Sequence, residues 1–232
     1  MSEIFFSPLA VSSLLPCLIF SLIFLMGSIP FGLVIARILK IKAFQKGAQK
    51  GAQKEFGASH LAAAAGLWPA GALTFLLDFS KGALAVFLMT PFGYQFLEIF
   101  FGGSGDWNGV GVTQVTAWTS GLFVVLGHCY SPWLQFRGGK GVATSFGVIA
   151  VLSPLAALFG ALGFALVFLN LRIVSLASIA GLILASIFYL ILNPVGIHLW
   201  LGAAMIFIVL LRHEANIDAL LENREPKFLF KI

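Results

Sequence analysis

Residues 142–169 read VATSFGVIAVLSPLAALFGALGFALVFL, an apolar run with no charged residue and one interruption, Ser153-Pro154. How this run divides decides the fold. Taken whole, it exceeds the roughly 20 apolar residues that one bilayer crossing needs. Taken as two helices, Val142 to Leu152 and Pro154 to Leu169, it places proline in a first helical turn, where a missing amide hydrogen does no harm. The run lacks period-2 alternation, and backbone groups in hydrocarbon must be satisfied internally, so the segments are helices rather than strands.

Charge on either side selects the second division. Five further apolar runs qualify as spans: Leu9 to Pro30, Trp68 to Met89, Val112 to His128, Ile173 to Leu192 and Ile197 to Leu211. Between the first two lie Arg37, Lys40, Lys42, Lys46, Lys50 and Lys54, a basic segment expected in the cytoplasm. Glu98 and Asp106, with no Lys or Arg from Thr90 to Gln135, mark an outside loop, and Arg137 and Lys140 fall inside again. A single span at 142–169 would put Arg172 and the basic tail (Arg212, Arg224, Lys227, Lys231) outside. Two helices return them to the cytoplasm. The expectation is an all-α, polytopic membrane protein of about seven transmembrane helices, with the N-terminus outside and the C-terminus in the cytoplasm. No linker or shift of composition divides residues 1–232, so they are expected to form a single domain.

Composition agrees. Of 232 residues, 59% are hydrophobic and 10% charged, against about 25% charged in an average soluble domain, and the mean hydropathy is +1.00. A soluble globule, a disordered chain and a disulfide scaffold are excluded. The net charge of +5 is assigned to loops facing anionic lipid, not to nucleic acid. The start, Met1-Ser2-Glu3, lacks a basic n-region and a small-residue cleavage site, so the first run is expected to be a retained span. Cys17 and Cys129 adjoin apolar runs and read as small buried hydrophobes. Lys46-Gly47-Ala48-Gln49 recurs as Lys50-Gly51-Ala52-Gln53, a loop duplication with no chemistry of its own. The 24 phenylalanines read as helix filler.

The expected cytoplasmic loops carry the chemistry. Phe136-Arg137-Gly138-Gly139-Lys140-Gly141 runs directly into the helix at Val142. Glycines let the backbone approach a ligand, amides at a helix N-terminus point at an anion, and Lys140 adds a full positive charge. The loop is a phosphate-site candidate, or else a basic membrane-flanking turn. It is not a Walker A loop, since Leu134 and Gly141 stand where Gly and Ser/Thr belong. Gly27-Ser28-Ile29-Pro30-Phe31-Gly32 ends or bends the first helix. Asp78 and Lys81 share a helix face within a span, as a functional pair or a self-neutralising one. His213 and Asn216 share a face of an interfacial helix, where a His serves as base or phosphate donor, or is simply interfacial. His128 has the same two readings. Ser175 is expected at a cytoplasmic helix start near Arg172, as a cap alone or as part of a site that Arg172 and Lys140 face from the same side. No His/Cys spacing suits a metal, and no cofactor is implied.

In order along the chain, these segments resemble the acyl-phosphate-dependent glycerol-3-phosphate acyltransferase family of bacterial inner membranes, the PlsY family. Gly27–Gly32 resembles its first block, Gly57-Ala58-Ser59-His60 a form of its Gly-Ala-Thr-Asn, and Asp78-Phe79-Ser80-Lys81-Gly82 its Asp-x-x-Lys-Gly. Leu126-Gly127-His128 through Phe136–Thr144 matches its most specific block. Val174–Ser178 and Arg212–Ile217, closing with Glu225-Pro226-Lys227, complete the series. The resemblance implies transfer of a fatty acyl group from acyl phosphate to the 1-hydroxyl of glycerol 3-phosphate, giving lysophosphatidate and phosphate. It implies catalytic roles for Lys140, Ser175, His213 and Asn216, and substrate binding by Gly138, Gly139, Gly141, Ser28, Gly57, Ser59, His60, Asp78, Lys81 and His128. One block departs: the family's Ser falls on Gln53 and its Arg on Ala63, with Lys50 or Lys54 as replacements for the lost charge. The Gly-Thr before the closing Glu is here Asn223-Arg224. Two other readings stand beside the enzyme, a paralogue that binds lipid or phosphate without turnover, and a small transporter with Asp78 and Lys81 lining its path.

Overall fold

A computed structural model of the chain describes residues 8–41, 57–65, 68–90, 114–193, 196 and 198–228. The altered stretch Ala52–Phe56 with Gln53, the lysines Lys42, Lys46, Lys50, Lys54 and Lys231, and the loop expected outside with Glu98 and Asp106 lie beyond those residues.

Every regular element among the described residues is helical. The order is α1 (Pro8–Gly27), α2 (Phe31–Ile38), α3 (Ala58–Ala65), α4 (Trp68–Phe87), α5 (Gln114–Cys129), a single 3-10 turn (Pro132–Leu134), α6 (Val142–Leu152), α7 (Pro154–Leu171), α8 (Val174–Leu192), α9 (His198–Leu211) and α10 (Glu214–Leu221). The apolar run at residues 142–169 is two helices, broken at Ser153, with Pro154 in the first turn of α7. The seven expected helices are therefore α1 and α4 to α9. By length and composition α4, α7 and α8 each suffice to cross a membrane, whereas α6, at 11 residues, reaches only about 16 Å at 1.5 Å per residue.

The structure changes two boundaries. The span expected from Leu9 to Pro30 stops at Gly27, and α2 leaves it at a bend of 40°. Pro30, without an amide hydrogen, cannot continue the ladder of α1. The carbonyls freed there are bonded by other elements: Ser131 Oγ donates to Ser28 O at 2.6 Å, and Lys81 Nζ to Ile29 O at 3.1 Å. The second change is α3, a short Ala-rich helix that hydropathy did not reveal, packed on α4.

Helix pairs approach closely where glycine removes the side chain. Gly27 and Gly127 face the Val124 and Phe24 carbonyls across the α1–α5 crossing. Gly82 and Gly147 face the Thr144 and Phe79 carbonyls across α4–α6. Lipid is as apolar as leucine, so association in a membrane draws on such close packing. Between the crossings sits a buried cluster including Val86, Val124, Val148, Ile149, Met205 and Val209. Trp118 Nε1 donates to Tyr189 Oη at 3.0 Å at the far end of the bundle. Because a Cβ on Gly147 meets backbone rather than a movable side-chain tip, Gly147→Ala is expected to lower stability by about 1–3 kcal/mol. The unfolding midpoint in detergent measures this, and an unchanged midpoint would contradict the close crossing.

Candidate active site

The α1–α2 break, the α5–α6 turn, the α7–α8 turn and the start of α10 gather at one end of the bundle, joined by hydrogen bonds between segments distant in sequence. There the helices enclose a cavity of about 360 Å³. Its wall contains Lys140 and Gly141 from the α5–α6 turn, Ser175 from α8, and His213 and Asn216 from the α9–α10 corner. Gly57, Ser59 and His60 at the start of α3, with Asp78, His128, Ser178, Glu225 and Lys227, add further polar lining. Phe75, Phe164, Val174, Pro226 and Phe228 add an apolar lining. A chamber lined by both kinds of side chain suits a molecule with a charged head and a hydrocarbon tail.

The first turn of α6 opens onto the cavity, with Gly141, Val142 and Ala143 in its wall. Gly141 takes φ +85°, in the left-handed region where a side chain is strained. The opening amides of a helix have no acceptor within it and carry the positive end of its dipole. Together with the Lys140 ammonium they form an anion-attracting corner.

Elsewhere in the lining, Glu225 organises two polar side chains. Its Oε1 accepts from Ser175 Oγ at 2.5 Å and from Asn216 Nδ2 at 2.8 Å. A carboxylate only accepts, which fixes the Asn216 amide with its nitrogen toward Glu225. Ser175 has thereby committed its only hydrogen, and its oxygen is left with acceptor capacity. Asn216 Oδ1 is buried and, among the described residues, has no hydrogen-bond partner. The wall therefore presents acceptors, complementary to a ligand's hydroxyl groups. His213 is 1% exposed, with Nδ1 2.7 Å from the Val209 carbonyl. That carbonyl cannot donate, so in the neutral ring Nδ1 carries the hydrogen and Nε2 the lone pair.

Four of the residues expected at the site are elsewhere. Gly138 and Gly139 do not line the cavity. Their amides donate to Cys129 O and His128 O, both at 3.0 Å, and a Cβ on either would meet the His128 carbonyl or ring. They are there to let the turn lie against α5, and the phosphate role expected of their amides is not available in this arrangement. Ser28 is likewise engaged behind the wall, its hydroxyl bonded to Leu25 O at 2.6 Å and accepting from Trp133 Nε1 at 2.8 Å. Lys81 is absent from the cavity wall and contributes instead to an apolar groove on the flank of the bundle. It pairs with Asp78 at 2.8 Å, and Asp78 Oδ1 lies 3.5 Å from His128 Nδ1. Asp78 and His128 thus reach the cavity, while Lys81 anchors them from behind.

Sequence reasoning passed over two residues. Glu225 appeared only as the end of a motif, and nothing local marks it as the shared acceptor of residues 50 and 9 positions away. Arg212 read as a basic flank, yet it bonds the carbonyls of both displaced glycines. Among the described residues no group of three or more His, Cys, Asp or Glu is placed to hold a metal ion.

The family model described as glycerol-3-phosphate acyltransferase matches residues 17–223. A glycerol-3-phosphate acyltransferase of Aquifex aeolicus is 36% identical over 207 residues, covering 88% of this chain and 95% of the relative. That of Aliarcobacter butzleri is 36% identical over 217 residues, covering 90% and 94%. Among solved structures, the integral membrane glycerol 3-phosphate acyltransferase PlsY matches in two crystal structures, each 32% identical to this chain. Its lysophosphatidic acid form has a TM-score of 0.72, with 93% of this chain and 96% of that one covered. Its glycerol 3-phosphate form has a TM-score of 0.73, covering 92% and 96%.

Proposed function

The chain belongs to the glycerol-3-phosphate acyltransferase family, and on that premise we propose that it transfers a fatty acyl group from acyl phosphate to the 1-hydroxyl of glycerol 3-phosphate in phospholipid synthesis. The observation that carries this reading is the mixed polar and apolar lining of the cavity. It has a cationic corner at Lys140 and the α6 N-terminus, hydroxyl acceptors at Ser175 and Asn216, and an aromatic wall, all in one 360 Å³ space.

In the proposed reaction the phosphate of glycerol 3-phosphate is drawn to the Lys140 corner, its 2-hydroxyl donates to the acceptors that Ser175 and Asn216 present, and its 1-hydroxyl donates to His213 Nε2. The acyl chain lies along Phe75, Phe164 and Phe228. The 1-hydroxyl oxygen bonds to the acyl carbonyl carbon as the bond from that carbon to the phosphate oxygen breaks. The hydroxyl proton passes to His213 Nε2 and from there to the departing phosphate, so that lysophosphatidate and inorganic phosphate leave. Acyl phosphate is already activated. Holding two anions and a hydroxyl in register therefore supplies much of the rate, and charge developing on phosphate and carbonyl oxygens is met by Lys140 and the α6 amides. We place the cavity on the cytoplasmic face of a bacterial inner membrane, with the N-terminus outside, because the basic residues collect at that end.

The assay supplies purified protein in a lipid phase with palmitoyl phosphate and glycerol 3-phosphate, and follows both products. Equal amounts of lysophosphatidate and phosphate are expected. A folded protein that binds glycerol 3-phosphate but forms no lysophosphatidate would overturn the proposal. It would leave a paralogue that binds without turnover, the reading that Gln53 and Ala63, in place of the family's Ser and Arg, favour.

A further inference from the structure

The glycine turn between α5 and α6 is gripped from two sides. Its amides go to the end of α5, as described above, and its carbonyls go to the end of α9. Arg212 Nη2 donates to Gly138 O at 2.7 Å, and Nε to Gly139 O at 3.2 Å. The guanidinium carbon lies 5.6 Å from the centre of the Tyr130 ring, a cation–π distance. One planar fork on two consecutive carbonyls fixes the rotation of the strip as well as its place. A lysine, a point charge on a flexible stem, cannot do the same. The residue after the gripped pair is Lys140, and the residue after Arg212 is His213. Arg212 itself is absent from the cavity wall.

We infer that Arg212 is a positioning residue that locks the Gly138–Gly139 strip to the end of α9 and so fixes the Lys140 ammonium relative to His213 and Asn216. The inference rests on the acyltransferase reading, because it assigns how two halves of that one site are kept in register. Its electrostatic contribution is indirect. Nε and Nη2 each direct a hydrogen at a backbone oxygen, and the effect on substrate runs through the residue next along the strip.

A kinetic double-mutant cycle tests this. Arg212→Ala is expected to lower kcat/KM by about 10- to 100-fold, the scale of a misplacement near 1 Å. In a Lys140→Ala background, assayed at raised enzyme concentration, the same change is expected to lower the remaining rate less than about threefold, since the group being positioned is gone. Arg212→Lys, which keeps the charge and one bond, is expected to lose about fivefold alone, and nothing further without Lys140. It carries the test should Arg212→Ala fail to fold. Losses that multiply in the double variant would overturn the inference, since Arg212 would then act on substrate or on overall stability independently of Lys140. So would full activity in Arg212→Ala. A folded wild-type protein with no turnover would instead remove the acyltransferase reading beneath it, a separate and recognisable failure.

Discussion

Lys140→Ala is expected to lower acyl transfer by about 10²- to 10³-fold, the usual loss when one preorganised charge-stabilising donor is removed, with little change in the unfolding midpoint. Both proposed substrates bring phosphate into a chamber only about 360 Å³ in volume, and the departing phosphate gains negative charge as the bond breaks. Lys140 and Lys227 both line the cavity; Lys140 is the one next to the first turn of α6, while Arg212 is turned toward backbone and Lys81 toward Asp78. The loss should therefore appear in kcat as well as in KM for glycerol 3-phosphate, since the charge to be stabilised is greater in the transition state than in either substrate. Lys140→Arg keeps the charge but replaces a point donor by a fork, and an intermediate rate is expected. The measurement is initial-rate kinetics of lysophosphatidate release on monodisperse protein. A loss smaller than about threefold would displace Lys140 from its proposed role and move the phosphate site away from the α6 N-terminus.

The second large effect concerns stability. Asp78→Leu is expected to destabilise the fold by about 3–5 kcal/mol, because it leaves the Lys81 ammonium buried without its counter-ion. The two side chains are 4% and 3% exposed, paired at 2.8 Å, on a helix long and apolar enough to cross a membrane. Lys81 also donates to Ile29 O at the α1–α2 break and lies 5.5 Å from the centre of the Phe31 ring. The pair thus holds the start of α2 as well as neutralising itself. Replacing both partners, Asp78→Leu with Lys81→Met, is expected to recover much of the loss, since two apolar groups leave no uncompensated charge. Full recovery is not expected, for the Ile29 carbonyl and His128 each lose a neighbour. Unfolding midpoints in detergent for the two single variants and the double one decide the matter. Equal, small effects in all three would mean that the pair is solvated, and would return it to the list of transport-path candidates.

The sequence was informative wherever the physics is local. Hydrocarbon selects helices one segment at a time, so the apolar runs, the proline at 154 and the alternation of basic and acidic loops located the seven main helices and the broken run at Ser153. The ordered motifs carried the family resemblance, which the comparisons bear out. They placed Lys140, Ser175, His213 and Asn216 on the candidate list, and all four line one cavity. The short helices α2 and α3 escaped because neither is long enough to leave a hydropathy signal of its own.

What the chain by itself determined, then, is the set of spans, their breaks and the polar residues at their ends, because each follows from a residue and its near neighbours in a medium that tolerates few alternatives. Only the tertiary structure decided which of those polar groups remain available to a ligand. The Gly138 and Gly139 amides are taken up by carbonyls of α5 and their own carbonyls by Arg212, while Ser175 and Asn216 are turned into acceptors by a glutamate from the tail. A hydrogen-bonding group is spent on whichever partner folding brings to it, and those partners come from distant segments that no local pattern identifies.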